Sequence, residues 1–190
     1  MSTQNDNSPR DFTEIKEFTK KGLIIALTGE GKGKSTSAYG TAIRSMGRGY
    51  KVGIVQFIKG QWSTGEQKFF ASQPLCDMFP MGNGFTWETK NLEQDKQTAH
   101  NAWQKCLEIL HDQQYKLVIF DELIYVLKYG FLDEQEVIVA LKSKPPLKHV
   151  IVTGNGLSEE LKSVADLVSH VQCVKHPYYE GIKAQPGIEY

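Results

Sequence analysis

Polar and apolar positions divide the chain into short blocks. The first ten residues, MSTQNDNSPR, are polar and aperiodic, and then Phe12, Ile15 and Phe18 recur at helical spacing. This predicts a disordered leader and a short amphipathic helix within residues 1–21. That helix is either a functional arm or packed on its own domain, which spans 22–190. Leu23-Ile24-Ile25-Ala26-Leu27 is a continuous apolar run, as expected of a parallel strand covered on both faces. After a glycine-rich turn, residues 35–46 read as a helix carrying Ala38, Ala42 and Ile43 toward the sheet, ended by Gly47 and Gly49. A second strand follows over 51–57. A strand, helix and strand in this order imply a right-handed parallel crossover.

Further along, 59–65 and 83–91 read as loops, with a short strand in 75–81. A helix over 92–112 places Ala99, Ala102, Trp103, Cys106, Leu107 and Leu110 on one stripe. Strands are predicted over 116–120, 149–153 and 167–174, and helices over 122–128, 134–143 and 158–164. The tail from Lys175 to Tyr190 has no periodicity. Strands alternating with helices predict an α/β, three-layer domain with a mostly parallel central sheet.

Composition narrows the class. The 190 residues suffice for one domain, and hydrophobic and charged fractions of 40% and 23% are those of a globular chain. Twenty-two basic residues balance twenty-two acidic ones, which argues against a nucleic-acid partner. No apolar run approaches the roughly 20 residues of a membrane helix, and the leader has no apolar signal core. Cys76, Cys106 and Cys173 are dispersed, which fits reduced thiols in a cytoplasmic protein. The five histidines share no metal-ligand spacing.

The candidate chemistry begins at Thr28-Gly29-Glu30-Gly31-Lys32-Gly33-Lys34-Ser35-Thr36. The pattern G-x-x-x-x-G-K-[ST] calls for glycine where Thr28 stands, but the strand before and the helix after are those of a phosphate loop. Successive backbone N–H groups form an anion nest and the helix adds its positive end. Lys34 brings a full charge to a bound triphosphate, and the Ser35 hydroxyl suits Mg²⁺. Glu30 is anomalous, since a carboxylate in the nest repels the ligand. A second acidic site lies at Lys116-Leu117-Val118-Ile119-Phe120-Asp121-Glu122, an apolar strand ending in two carboxylates. On a strand neighbouring the loop, one of these acids would cap the next helix and the other would reach the metal, with Glu122 the favoured ligand and Asp121 the alternative.

Other segments are more specific: Val55-Gln56-Phe57-Ile58-Lys59-Gly60, Gly84-Phe85-Thr86-Trp87-Glu88-Thr89, Asp121-Glu122-Leu123-Ile124-Tyr125, Val174-Lys175-His176-Pro177, Gly181-Ile182-Lys183-Ala184-Gln185 and Gly187-Ile188-Glu189-Tyr190. Together with the loop, they resemble the ATP:cob(I)alamin adenosyltransferases of the CobA/CobO/BtuR family over roughly 22–190. That family usually reads TGNGKGKTT at the loop, so Thr28 matches it, whereas Glu30, Ser35 and Asn155 replace its usual Asn, Thr and Arg.

The resemblance implies a three-layer P-loop NTPase (RecA-like) fold. It further implies transfer of the 5′-deoxyadenosyl group of ATP to cobalt(I) of a cobalamin or cobinamide-type corrinoid, with triphosphate released. ATP would lie reversed relative to most P-loop proteins, presenting C5′. Cobalt is the nucleophile, so no catalytic acid, base or protein nucleophile is expected. Phe85 and Trp87 would wedge out the lower cobalt ligand, and Met81 would line the same pocket. Mg²⁺, a homodimer and a flavoprotein reductant are also implied. A RecA-like ATPase, an ATP-dependent corrinoid-binding chaperone and a small-molecule kinase are the competing readings. The kinase usually needs an arginine-rich lid, which the sequence lacks.

Overall fold

The computed structural model describes residues 19–58, 64–82 and 92–189. The stripe of Phe12, Ile15 and Phe18, residues 59–63 of the predicted 59–65 loop, and the 83–91 loop with Phe85 and Trp87 lie outside these residues. Six parallel strands, β1 (Ile24–Thr28), β2 (Lys51–Gln56), β3 (Cys76–Pro80), β4 (Tyr115–Asp121), β5 (His149–Thr153) and β6 (Leu167–His170), form one sheet in the order β3-β2-β4-β5-β1-β6. The helices are α1 (Lys34–Met46), α2 (Gly65–Ala71), α3 (Leu92–His111), α4 (Leu123–Lys128), α5 (Glu134–Lys142) and α6 (Glu159–Val164). A 3-10 turn, Pro177–Glu180, interrupts the tail.

Two apolar clusters flank the sheet. Ala38, Tyr39 and Ala42 of α1 and Phe70 of α2 pack with Leu27, Val52, Ile54, Leu117, Ile119 and Ile151 on one face. On the other, α3 to α6 pack against Ala26, Val55, Val118, Phe120, Val150 and Val152. The alternation of the strands therefore feeds both layers, and the expected three-layer α/β fold is present. Ala99, Ala102, Trp103, Cys106 and Leu110 of α3 are buried as predicted, together with Ile109, while Leu107 is only partly covered. Trp103 stands edge-on to Phe120 and its Nε1–H donates to Glu136 Oε1 at 2.7 Å. All three cysteines are free thiols, and burial pushes Cys76 up to about 12.

Three elements depart from expectation. Ile43 is half exposed, and Tyr39 takes the buried position beside Ala38 and Ala42. Tyr39 lies on the same flank of the helix, one turn earlier; its ring meets Phe70 edge-on and its hydroxyl finds an acceptor. α2 is a helix that no period in the sequence predicts; its Thr64–Gln67 capping box closes its first turn. β6 ends at His170 rather than 174, because the chain beyond it turns over the phosphate loop.

Asp166 joins the amino ends of the two strands at this sheet edge. Its Oδ2 accepts from Ile24 N–H at 2.8 Å, its own N–H donates to Ile24 O at 2.8 Å, and Lys21 pairs with Oδ1. The Lys21 ammonium first, and the Ile24 amide second, hold its carboxyl below the ordinary value. A depressed carboxyl stabilises the fold above the unfolded value near pH 4 and ceases to do so as pH falls through the folded value. Asp166→Ala is therefore expected to cost about 1–2 kcal/mol at pH 7. Denaturant titrations should show the gap from wild type closing at acid pH; a constant gap would assign the loss to packing.

Candidate triphosphate site

β1 runs on through Thr28, which explains a residue other than glycine there. Its carbonyl accepts from Val171 N–H at 2.8 Å, and its hydroxyl accepts from Leu157 N–H at 3.4 Å. The chain turns only at Gly29, where φ is +104°. It is strapped to the segment after β6 by Gly31 N–H donating to Val171 O at 2.9 Å. Gly33 (φ +111°) then delivers the chain into α1 without a side-chain cap and with no acidic residue in the first turn. The amides opening α1 are thus left for an anion rather than satisfied by the protein's own carboxylate.

This turn forms one wall of a cavity of about 230 Å³ lined by Glu30 to Thr36, Glu66, Glu122, Ile188 and Glu189. Seven of the nine loop residues line this cavity; Thr28 and Gly29 lie outside the lining and shape the turn instead. Lys34 Nζ donates to Gly31 O at 2.9 Å, so the ammonium lies folded across the loop. Lys32 is ion-paired with Glu189, which brings the carboxyl-terminal tail over the nest. Glu30 is exposed on the rim, shared with a second hollow lined by Asn155, His170, Gln172 and Cys173. A larger neighbouring groove of about 450 Å³, bounded by Tyr39, Ile43, Phe69, Phe70 and Ile188, has Glu66 as its only charged group among the described residues. Lys32 and Lys34 line the smaller cavity and not this groove.

The two acids at the end of β4 part company. β5 intervenes between β4 and β1, so the acidic strand is one removed from the loop rather than its neighbour. Glu122 lines the cavity; Asp121 is fully buried beneath it. Neither caps α4 through its side chain, contrary to expectation: Glu122 occupies the cap position with its backbone only. Asp121 Oδ2 accepts from Tyr39 OH at 2.7 Å and Gln56 Nε2 at 3.3 Å, and Oδ1 accepts from Thr153 Oγ1 at 2.7 Å. Burial first, and then Asp121, push the Tyr39 phenol well above its ordinary value, which keeps it a donor.

The Ser35 hydroxyl and the Glu122 carboxylate line the same space, an all-oxygen set suited to a hard cation. No group of three or more His, Cys, Asp or Glu positioned for a metal occurs among the described residues. Mg²⁺ is commonly held by few protein oxygens plus phosphate, so this donor set fits it. Met81 is half-buried against the core, its N–H donating to Gln56 O at 3.0 Å, and does not line the cavity. Nothing in the sequence marks Glu66 or Tyr39 for this region, and only the fold brings Gln56, Thr153, Ile188 and Glu189, which stand in segments legible as strands or tail, to the cavity or to the network beneath it. Among the described residues, no helix is long and apolar enough to cross a membrane.

The chain is 42% identical over 193 residues to a corrinoid adenosyltransferase of a Sinorhizobium species, covering all of this chain and 90% of that protein. It is 43% identical over 171 residues to the corrinoid adenosyltransferase of Escherichia coli K12 and to corrinoid adenosyltransferase CobA of Salmonella typhimurium, covering 90% of this chain and 87% of each. Residues 20–190 match the profile of the ATP:corrinoid adenosyltransferases BtuR/CobO/CobP, and the chain belongs to that family.

Proposed function

We propose that this chain transfers the 5′-deoxyadenosyl group of ATP to the reduced cobalt of a corrinoid and releases triphosphate. The observation that carries this reading is the family match across the whole P-loop domain, residues 20–190. The loop amides and Lys34 hold the triphosphate and stabilise the charge that grows on it as the C5′–O bond breaks. Lys32 joins them when an incoming phosphate displaces Glu189. The attacking electron pair comes from cobalt(I), so the site needs no protein base. Ser35 and Glu122 would hold Mg²⁺, which would neutralise part of the triphosphate charge. Incubation with MgATP and chemically reduced corrinoid should give light-sensitive adenosylcorrinoid and triphosphate. ADP with unmodified corrinoid would support an ATPase instead.

The corrinoid face of the site is assigned to Met81, Phe85 and Trp87. Apolar rings cannot ligate cobalt and exclude water, which favours the four-coordinate, reducible state. Phe85→Ala combined with Trp87→Ala should therefore reduce activity about tenfold or more from cobalt(II) with a flavoprotein reductant, on the scale of a displaced positioning group. Activity from pre-formed cobalt(I) should fall much less. Equal losses in the two assays would assign the rings to packing. A homodimer in the cytoplasm completes the reading.

A further inference from the structure

β5 is the strand between the phosphate loop and the acidic strand, and its last residue, Thr153, is fully buried. The Thr153 hydroxyl is spent in both directions: it donates to Asp121 Oδ1 at 2.7 Å and accepts from Glu122 N–H at 2.9 Å. Glu122 has φ +66° and ψ +17°, and it is the one non-glycine with positive φ among the described residues. A left-handed backbone is unfavourable for a residue with a Cβ and persists where surrounding contacts fix it. That turn is what places Glu122 at the cavity while α4 departs behind it.

Asp121 cannot reach a cation without giving up its donors. It is fully buried and accepts from Tyr39, Gln56 and Thr153, so removing it from them would leave buried donors unpaired. The network also continues outward. Gln56 Nε2 donates to Tyr39 OH at 2.7 Å, and Gln56 Oε1 accepts from Gln67 Nε2 at 2.8 Å, within the capping box of α2. α2 carries Glu66, another wall of the cavity.

We infer that Asp121 is a positioning residue and not a metal ligand: through Thr153 it locks the Glu122 backbone in the left-handed turn that presents the Glu122 carboxylate to the phosphate cavity. This rests on the reading of Glu122 as the Mg²⁺ ligand, and it makes Thr153 a determinant of metal affinity although it lies beneath the site.

The test is Mn²⁺ binding in the presence of ATP, followed by the electron paramagnetic resonance signal of free Mn²⁺, with ATP binding in chelator measured alongside. Thr153→Val should weaken Mn²⁺ about tenfold, the scale of lost outer-shell support. Metal-free ATP binding should be unchanged, and Thr153→Ser should restore wild-type affinity. Thr153→Ala gives up the same hydroxyl without adding a methyl and serves where the valine variant does not fold. Asp121→Asn should resemble Thr153→Val, whereas Glu122→Gln should lose Mn²⁺ much more completely. Wild-type Mn²⁺ affinity in Thr153→Val and Thr153→Ala overturns the inference. So does an Asp121→Asn loss as complete as that of Glu122→Gln with the threonine variants intact, since Asp121 would then be a ligand. Unchanged binding in Glu122→Gln overturns it through the underlying metal assignment, without touching adenosyl transfer itself.

Discussion

Lys34→Ala is expected to lower the rate of adenosylcorrinoid formation by about two to three orders of magnitude, the largest effect at this site. Lys34 opens α1 and lines the cavity with its ammonium folded back on Gly31 O. The leaving group is a triphosphate, so the charge to be stabilised is on the departing oxygens and not on an attacking base. An ammonium among loop amides, partly shielded from water, would supply that stabilisation. Lys32 is a weaker substitute, being more exposed and having first to give up Glu189. The measurement is the initial rate under MgATP with pre-formed cobalt(I), which removes reduction from the kinetics. Thermal unfolding should stay near wild type, because the Lys34 side chain donates to a loop carbonyl and supports no core contact. A loss of less than about tenfold would mean that the loop grips ATP elsewhere than at its leaving group.

Legibility in the sequence followed burial. β1, β4 and β5 are covered on both faces, so they read as unbroken apolar runs, and α3 shows its stripe because one side meets the sheet. α2 escaped because its seven residues are too few to show a period, and its capping box follows a loop segment. β6 is exposed throughout, so no burial pattern marks where it stops. Ile43 was misplaced because hydrophobicity alone favours it over Tyr39, and only the fold reveals that Tyr39 has an acceptor inside. At the site, the turn was legible because glycines between an apolar strand and a helix mark where the chain must turn. The burial of Asp121 and the place of Glu122 at the cavity were not. Adjacent acids at a strand end look alike in sequence, and the strand that stands between β4 and β1 is set by topology. The contact of Glu189 with Lys32 spans 157 positions, beyond any local pattern.

Gly29→Ala should cost about 3 kcal/mol in stability and at least tenfold in ATP affinity, by adding overpacking to left-handed strain. At φ +104° an alanine Cβ would fall 2.4 Å from Val171 O and 2.9 Å from Val171 N. Both are backbone atoms of the segment that straps the loop, so no side chain can swing aside to relieve the clash. The loop or the strap must shift, and Gly31 N–H, which donates to the same Val171 carbonyl, would move with it. Gly33 provides the control. Its φ is +111°, yet a Cβ there meets nothing within 4 Å, so Gly33→Ala carries conformational strain alone, about 1 kcal/mol. Equilibrium denaturant unfolding of the two variants should therefore separate by about 2 kcal/mol, the expected overpacking share. Equal midpoints would show that the strap yields to the loop, and that the nest is shaped by its own glycines and not by the chain crossing over it.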